Sequence, residues 1–294
     1  MATTVSYRTL RRCVVATHNI LDGLYLPSLL RDYRRLHRAL PLHALCIQEA
    51  VPCAAERIAA ALGRQFVVAS HPGARRLAIV FDGTHLRLRK LRIHLLPRLA
   101  HVPAWQRLYA GSKVQQKYAL VGRFMWRRNG RCRAKPLTVV NLHLDAAGDL
   151  RHRTVQTRSL ATALETRRDQ PLIACGDTNA FTWVAATAER ALRQVLQPLH
   201  RRHRLIDPHA SQPQPTHFFA RAHEPKLGQR IAVAFGRLGV DFPRRYDVVV
   251  GAPRPLLAGY MATPASDHDL AWAAFAIGRR RRPSDMPAKI VSYP

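Results

Sequence analysis

Apolar residues along the chain fall into two patterns. Short continuous runs, the mark of strands buried on both faces, occupy "CVVATHNI" (13–20), "ALCIQEA" (44–50), "FVVAS" (66–70), "RLAIVFD" (76–82), "YALVGRFMW" (118–126), "PLTVVNLHLD" (136–145), "PLIACGD" (171–177), "RRYDVVVG" (244–251) and "LAWAAFAI" (270–277). "DGTHLRLRKLRIHLL" (82–96) instead alternates, as a half-exposed strand does. Between these runs, apolar positions recur at helical spacing. Leu29, Tyr33, Leu36 and Leu40 form one stripe with arginines on the opposite face. "AAERIAAAL" (54–62), "DLRHRTVQTRSLATALETRR" (149–168) and most of "WVAATAERALRQVLQPL" (183–199) read the same way. Asn129-Gly130 predicts a hairpin turn, and residues 97–118 and 207–230 read as loops. No repeat or linker splits the chain, so the pattern predicts one α/β domain of packed sheets with helices outside. Residues 1–278 are assigned to it, and 279–294 ("RRRRPSDMPAKIVSYP") to a basic C-terminal tail.

The apolar runs end in residues that are costly to bury. "ATHNI" delivers Asn19 and "CIQEA" delivers Glu49. "NLHLD" delivers Asn141, His143 and Asp145, and "GDTN" delivers Asp177 and Asn179. "RRYDVVV" carries Asp247, and "ASDHD" sets Ser266, Asp267, His268 and Asp269 before the last run. Buried ionisable groups must be paired or bind a metal. Singly, each has an ordinary structural use: Glu49 as a helix cap, Asp177 as a turn residue, His143 as a hydrogen-bonded core histidine. Together at adjacent strand ends they would form one pocket of carboxylates, imidazoles and amides. Such a set suits a hard divalent cation and acid–base chemistry. Asp177 and Asn179, two apart on an extended segment, are expected to point the same way.

Charge sharpens this picture. The chain has 294 residues, with 47 Lys+Arg against 18 Asp+Glu, a formal +29. That field draws in polyanions, so a nucleic acid, an anionic lipid or a small phosphoester is the expected partner. Five cysteines without a CxxC pair, three of them in apolar runs, point to free thiols in a reducing cytoplasm. No apolar run reaches the length of a membrane span, the N-terminus lacks the apolar centre of a secretory signal, and the chain is expected to be a monomer.

The order of the polar strand ends resembles that of the endonuclease/exonuclease/phosphatase superfamily, the fold of deoxyribonuclease I, exonuclease III and neutral sphingomyelinases. The resemblance rests on Asn19 in "THNI", Glu49 in "IQEA", Asn141 and His143 in "NLHL", Asp177 and Asn179 in "GDTN", Asp247 in "RRYDVVV", and Asp267 with His268 in "SDH". It implies a four-layer α/β sandwich: two mostly antiparallel mixed sheets face to face, helices outside, active site at one edge. It implies Mg²⁺, with Mn²⁺ as a substitute, on Glu49 and Asp267, and hydrolysis of a phosphodiester by activated water. Asp177 would handle that water, and Asn179 would hold it and a phosphate oxygen. His268, oriented by Asp247, would face the phosphate. His143 would act as general acid or transition-state donor. Asn19, Asn141 and Lys117 would contact phosphate. A nuclease is the first expectation; a sphingomyelinase-like or phosphoinositide-type lipid phosphoesterase is the alternative. The abasic-site branch has a mid-chain catalytic tyrosine, and neither Tyr109 nor Tyr118 sits in a matching motif. Asp145 and Asp269 are extra acids, expected to serve local turns.

Overall fold

The structure, a computed structural model, describes residues 12–107, 114–127, 136–165, 170–182, 184–218, 221, 230–231, 233–235, 243–252, 254–277 and 289–293. Two sheets face each other. The first contains β1 (Arg12–Asn19), β2 (Ala44–Gln48), β3 (Phe66–Ser70), β4 (Leu77–Asp82), β10 (Pro255–Met261), β11 (Leu270–Ala276) and β12 (Lys289–Tyr293), in the order β12-β10-β11-β1-β2-β4-β3. The second contains β5 (Leu86–Leu95), β6 (Tyr118–Trp126), β7 (Pro136–His143), β8 (Leu172–Asp177) and β9 (Asp247–Ala252), in that order. β1–β2, β7–β8 and β10–β12 pair parallel and the other neighbours antiparallel. The expected four-layer sandwich is present.

Each layer follows from the hydrophobic pattern. Between the sheets, Val15, Cys46, Ile79 and Phe81 meet Phe124, Val139, Ile173, Cys175 and Val249. Runs such as "VVVG" bury both faces: Val249 lies in this inner core while Val248 and Val250 face the helices. α1 (Leu26–Ala39) and α2 (Ala54–Leu62) cover the first sheet. Leu29, Tyr33 and Leu36 of α1 are fully buried against it, each contributing roughly 2 kcal/mol by area removed from water. α3 (Leu150–Ala163) and α4 (Ala188–His203) cover the second through Leu160, Leu192, Val195 and Leu199. The side chain of Asp149 caps α3, accepting from the His152 amide at 2.8 Å.

The structure adds two strands to those expected. β10 begins at a proline and contains Gly259, so its pattern does not read as a strand. β12, at residues 289–293, falls within the segment expected to be a tail and runs parallel to β10. Cys13, Cys46 and Cys175 are buried free thiols, as the pattern indicates. The Asn129-Gly130 turn, Tyr109 and Cys132 lie outside the described residues. Among the described residues no helix is long and apolar enough to cross a membrane.

Candidate active site

Strand register alone brings the first residues together. His143 ends β7, Asp177 ends β8 and Asp247 begins β9. His143 pairs with Asp177 in the β7–β8 ladder, and Asp177 with Asp247 in the β8–β9 ladder. Three neighbouring strands thus present one row across the second sheet. The first sheet contributes Asn19 from the end of β1 and Glu49 just past the end of β2. The turn before β11 contributes Asp267 and His268.

The contacts close this ring. Asn19 Nδ2 donates to Asp177 Oδ2 at 3.1 Å, joining the two sheets. His143 Nε2 lies 3.7 Å from Asp177 Oδ2 and 3.8 Å from Glu49 Oε1. His268 Nε2 lies 3.8 Å from Asp177 Oδ2, and its Nδ1 sits 2.7 Å from Asp247 Oδ2. The "SDH" turn is pinned: Ser266 Oγ donates to Asn19 O at 2.8 Å and accepts from His268 N at 3.1 Å.

Burial makes the electrostatics strong. Burial opposes a charge on His268, but Asp247, Asp177 and Asp267 outweigh it and hold the imidazole well above its ordinary range. His143 goes the other way: burial, then the Lys117 charge, push it well below. The two imidazoles are thus pushed in opposite directions, His268 toward its cationic form and His143 toward its neutral one. Burial raises Asp177, yet His268, His143, the Asn179 amide and Asn19 bring it below the usual carboxylate range. Burial raises Glu49 despite Arg76 and Lys117, and it lowers Lys117 despite Glu49, Asp145 and Asp177. Asp267 is raised by burial but carried down to about 2 by His268 and His217.

Asn179 reaches the site by a different route from the one expected. β8 stops at Asp177, and Asn179 is left-handed (φ 48°). Its amide donates to Asp177 Oδ1 at 2.9 Å and its Nδ2 to Leu144 O at 3.1 Å. A tight Asx-type turn, not strand alternation, couples the two residues. Asn141 does not belong to the pocket. It is fully buried, and its Nδ2 donates to Ile47 O and Ala78 O, both at 2.8 Å. Its Oδ1 accepts from Gln48 Nε2 at 2.6 Å. Its groups tie one sheet to the other, so a phosphate contact is ruled out. Asp145 and Asp269 serve local structure: Asp145 Oδ2 lies 3.4 Å from His152 Nε2, and Asp269 pairs with Arg221 at 2.7 Å.

Solved structures share this architecture. D. rerio TDP2, solved with a single-stranded DNA product, is 15% identical over 90% of this chain and 98% of its own, with a TM-score of 0.63. An endonuclease/exonuclease/phosphatase from Bacteroides vulgatus is 16% identical over 90% and 98%, TM-score 0.60. The chain has the endonuclease/exonuclease/phosphatase fold. The mannosyl-6-phosphatase of Bacteroides thetaiotaomicron VPI-5482 also matches it, 13% identical over 89% and 98%, TM-score 0.56. No family model and no curated protein matches the sequence.

Within this fold the sequence reading missed three residues near the pocket. Arg76 Nη2 lies 3.1 Å from Glu49 Oε2 and also contacts Asp22. His217 packs edge-on to His268, ring centroids 4.7 Å apart, with Nε2 3.7 Å from Asp267 Oδ2. His18 Nε2 donates to His268 O at 3.0 Å and its Nδ1 accepts from Tyr33 at 2.7 Å. None follows a periodicity or a spacing rule: His18 and Arg76 are lone polar residues within apolar runs, and His217 lies in a loop.

The donor set fits a hard cation. Glu49 and Asp267 offer carboxylate oxygens, and burial leaves the Glu49 charge only partly offset by its cationic neighbours. His217, Asp267 and His268 also bring one ligand atom each within 4.8 Å of one another. His268 is held toward its cationic form and committed to Asp247 there, which leaves the carboxylates as the donors open to a cation.

Proposed function

We propose that this chain is a Mg²⁺-dependent phosphoesterase that hydrolyses phosphodiester bonds of nucleic acid. One observation carries the reading: His143, Asp177 and Asp247 stand in register across three strands, with His268 on Asp247 and Glu49 beside His143.

Glu49 would hold the divalent cation, with Asp267 direct or through water. When bound, the cation supplies charge neutralisation at the phosphate and the leaving oxygen. Asp177, kept ionised, accepts the proton of the attacking water, while Asn19 and the Asn179 amide fix its carboxylate. Asp247 locks the His268 ring so that its Nε2–H faces the pocket as a cationic donor to a phosphate oxygen. His143 is neutral, so it serves as a one-proton hydrogen-bond donor to the transition state rather than as a charged acid. Lys117 adds positive charge beside the carboxylates.

The formal +29 charge supports a polyanionic substrate, and TDP2 shows that a protein of this fold can hold single-stranded DNA. The mannosyl-6-phosphatase shows that fold alone does not choose the substrate. The test is a panel of plasmid DNA, RNA, sphingomyelin and phosphoinositides, each in EDTA and with Mg²⁺ restored. Mg²⁺-restored cleavage of DNA or RNA is expected; choline-phosphate release or inositol-phosphate hydrolysis without nucleic-acid cleavage would move the chain to the lipid phosphoesterases.

A further inference from the structure

We infer that the flank formed by β5 and β6 is a docking track for a nucleic-acid strand, running along the sheet to the active-site edge. The inference deepens the nuclease reading and rests on it for the identity of the polyanion.

The first observation is a gap in the acids. Between Asp82 and Asp145 the sequence has 62 residues without one Asp or Glu, and 14 Lys or Arg. All 18 acids of the chain lie elsewhere. Among the described residues this stretch supplies β5, β6 and β7, one side of the second sheet, with β5 at its edge. Of its cations, β5 and β6 carry Arg87, Arg89, Lys90, Arg92 and Arg123, with no acid on either strand.

The second observation is the face those cations share. Leu88, Leu91 and Ile93 pack on the core between the sheets. The β5–β6 register shifts between Leu88 and Lys90, which inserts Arg89 as an extra residue. Arg87, Lys90 and Arg92 consequently all face outward, and all are exposed. His94 continues this face, its Nε2 3.0 Å from Ser159 Oγ on α3. Alternate strand residues lie about 6.6 Å apart, close to the phosphate step of an extended nucleic-acid strand.

The third observation is a like-charge pair compensated by one shared acid. Lys90 lies directly opposite Arg123 of β6, an arrangement that destabilises a sheet unless an anion lies between. Glu165 reaches Arg92 at 3.7 Å and Arg123 at 3.6 Å, but it is 73% exposed and a single charge against three. Guarding a free sheet edge needs a cation or two on the edge strand; it does not need a second strand to add Arg123 beside Lys90. A row of phosphates meets all of these cations at once.

The ladder also leads to the site. At its far end the Leu96 amide donates to Lys117 O at 3.0 Å, and Lys117 is the cation that acts on Glu49, Asp145 and Asp177. A strand lying on the track for about 30 Å of β5 would enter the pocket past Lys117.

The test measures binding of a labelled single-stranded DNA oligonucleotide to the full chain in EDTA, across a salt series. The track variant is Arg87→Gln/Lys90→Gln/Arg92→Gln. The control, Arg38→Gln/Arg57→Gln/Arg64→Gln, removes the same charge from α1, α2 and the turn after it. Expected for the track variant is a Kd at least about tenfold weaker, and a slope of log Kd on log salt lower by about 2, while the control stays near wild type. Equal losses in both variants, or none in either, overturn the track. A track variant that keeps DNA but loses phosphatidylserine vesicles overturns it in favour of a membrane surface. Wild-type Mg²⁺-dependent turnover of bis(4-nitrophenyl) phosphate, measured beside it, tests the enzymatic reading alone. Binding in EDTA tests the track alone, so the two fail separately.

Discussion

Gly176→Ala is the substitution whose consequence can be worked most directly from the geometry. Gly176 precedes Asp177 in β8 and has φ 141°, a conformation that residues with a side chain rarely adopt. A methyl group there would overlap the carbonyl oxygen of Leu142 and lie 2.8 Å from its carbon and 2.9 Å from its nitrogen. Ordinary carbon contacts need about 3.5–4.0 Å and the overlap with the oxygen is deeper still, so β8 must move from β7 by at least about 1 Å. That movement falls on the ladder that sets His143 opposite Asp177. The backbone strain adds about 1–3 kcal/mol, and a misplacement of about 1 Å at a catalytic group costs roughly a hundredfold in rate. The expected variant is folded, melts several degrees lower, and turns over a phosphodiester about a hundredfold more slowly at saturating substrate. Thermal melts followed by steady-state kinetics check both parts. Wild-type stability together with wild-type kcat would refute the argument that this glycine sets the Asp177 position.

Other consequences follow from the same structure. Asn141→Ala removes three buried hydrogen bonds that join the sheets, to Ile47 O, to Ala78 O and from Gln48 Nε2, so denaturant titration should show a loss of about 2–4 kcal/mol with KM unchanged; a raised KM at full stability would restore Asn141 to phosphate binding. Arg245→Met strands Glu189 and the buried Asp207, each 2.7–2.8 Å from the guanidinium, and should cost about 3–5 kcal/mol; an unchanged midpoint in urea would contradict this. Acid should destabilise the fold through His43 and His209, both held near pKa 4 by burial. In the unfolded chain they titrate near 6.5, so as pH falls from about 6.5 to 4 the unfolded state binds more protons and the unfolding free energy drops. By pH 5 the two histidines should remove about 4 kcal/mol, and their replacement by Gln should flatten the profile between pH 7.5 and 5; equal slopes in the two proteins would count against it.

Much of this molecule is legible in its sequence, for identifiable reasons. Strands buried on both faces write themselves as unbroken apolar runs, so β1, β2, β4, β7, β8, β9 and β11 can be read directly, and so can the polar residues at their ends. β10 hides because Pro255 and Gly259 break the run, although pairing with β11 stabilises the strand regardless. Asn141 misleads because "NLHL" puts it one turn of the pleat from His143; only the facing sheet, which offers Ile47 O and Ala78 O, shows what its amide does. Asn179 lands at the pocket, but through a left-handed turn that spacing does not reveal. Arg76, His217 and His18 gain their place from tertiary contacts across the sequence, such as the 250-residue separation between His18 and His268, and nothing local announces them.

The central claim is that Glu49, His143, Asp177 and His268 work as one centre on a phosphodiester. Its most direct test is the steady-state hydrolysis of such an ester by the full chain in EDTA and after Mg²⁺ is restored, for wild type, Asp177→Ala and His268→Ala. The account predicts no turnover in EDTA, recovery with Mg²⁺ in the wild type, and losses of about 10²–10⁴-fold in each variant with an unchanged circular dichroism spectrum. Turnover indifferent to EDTA, or wild-type rates in either variant, would contradict it.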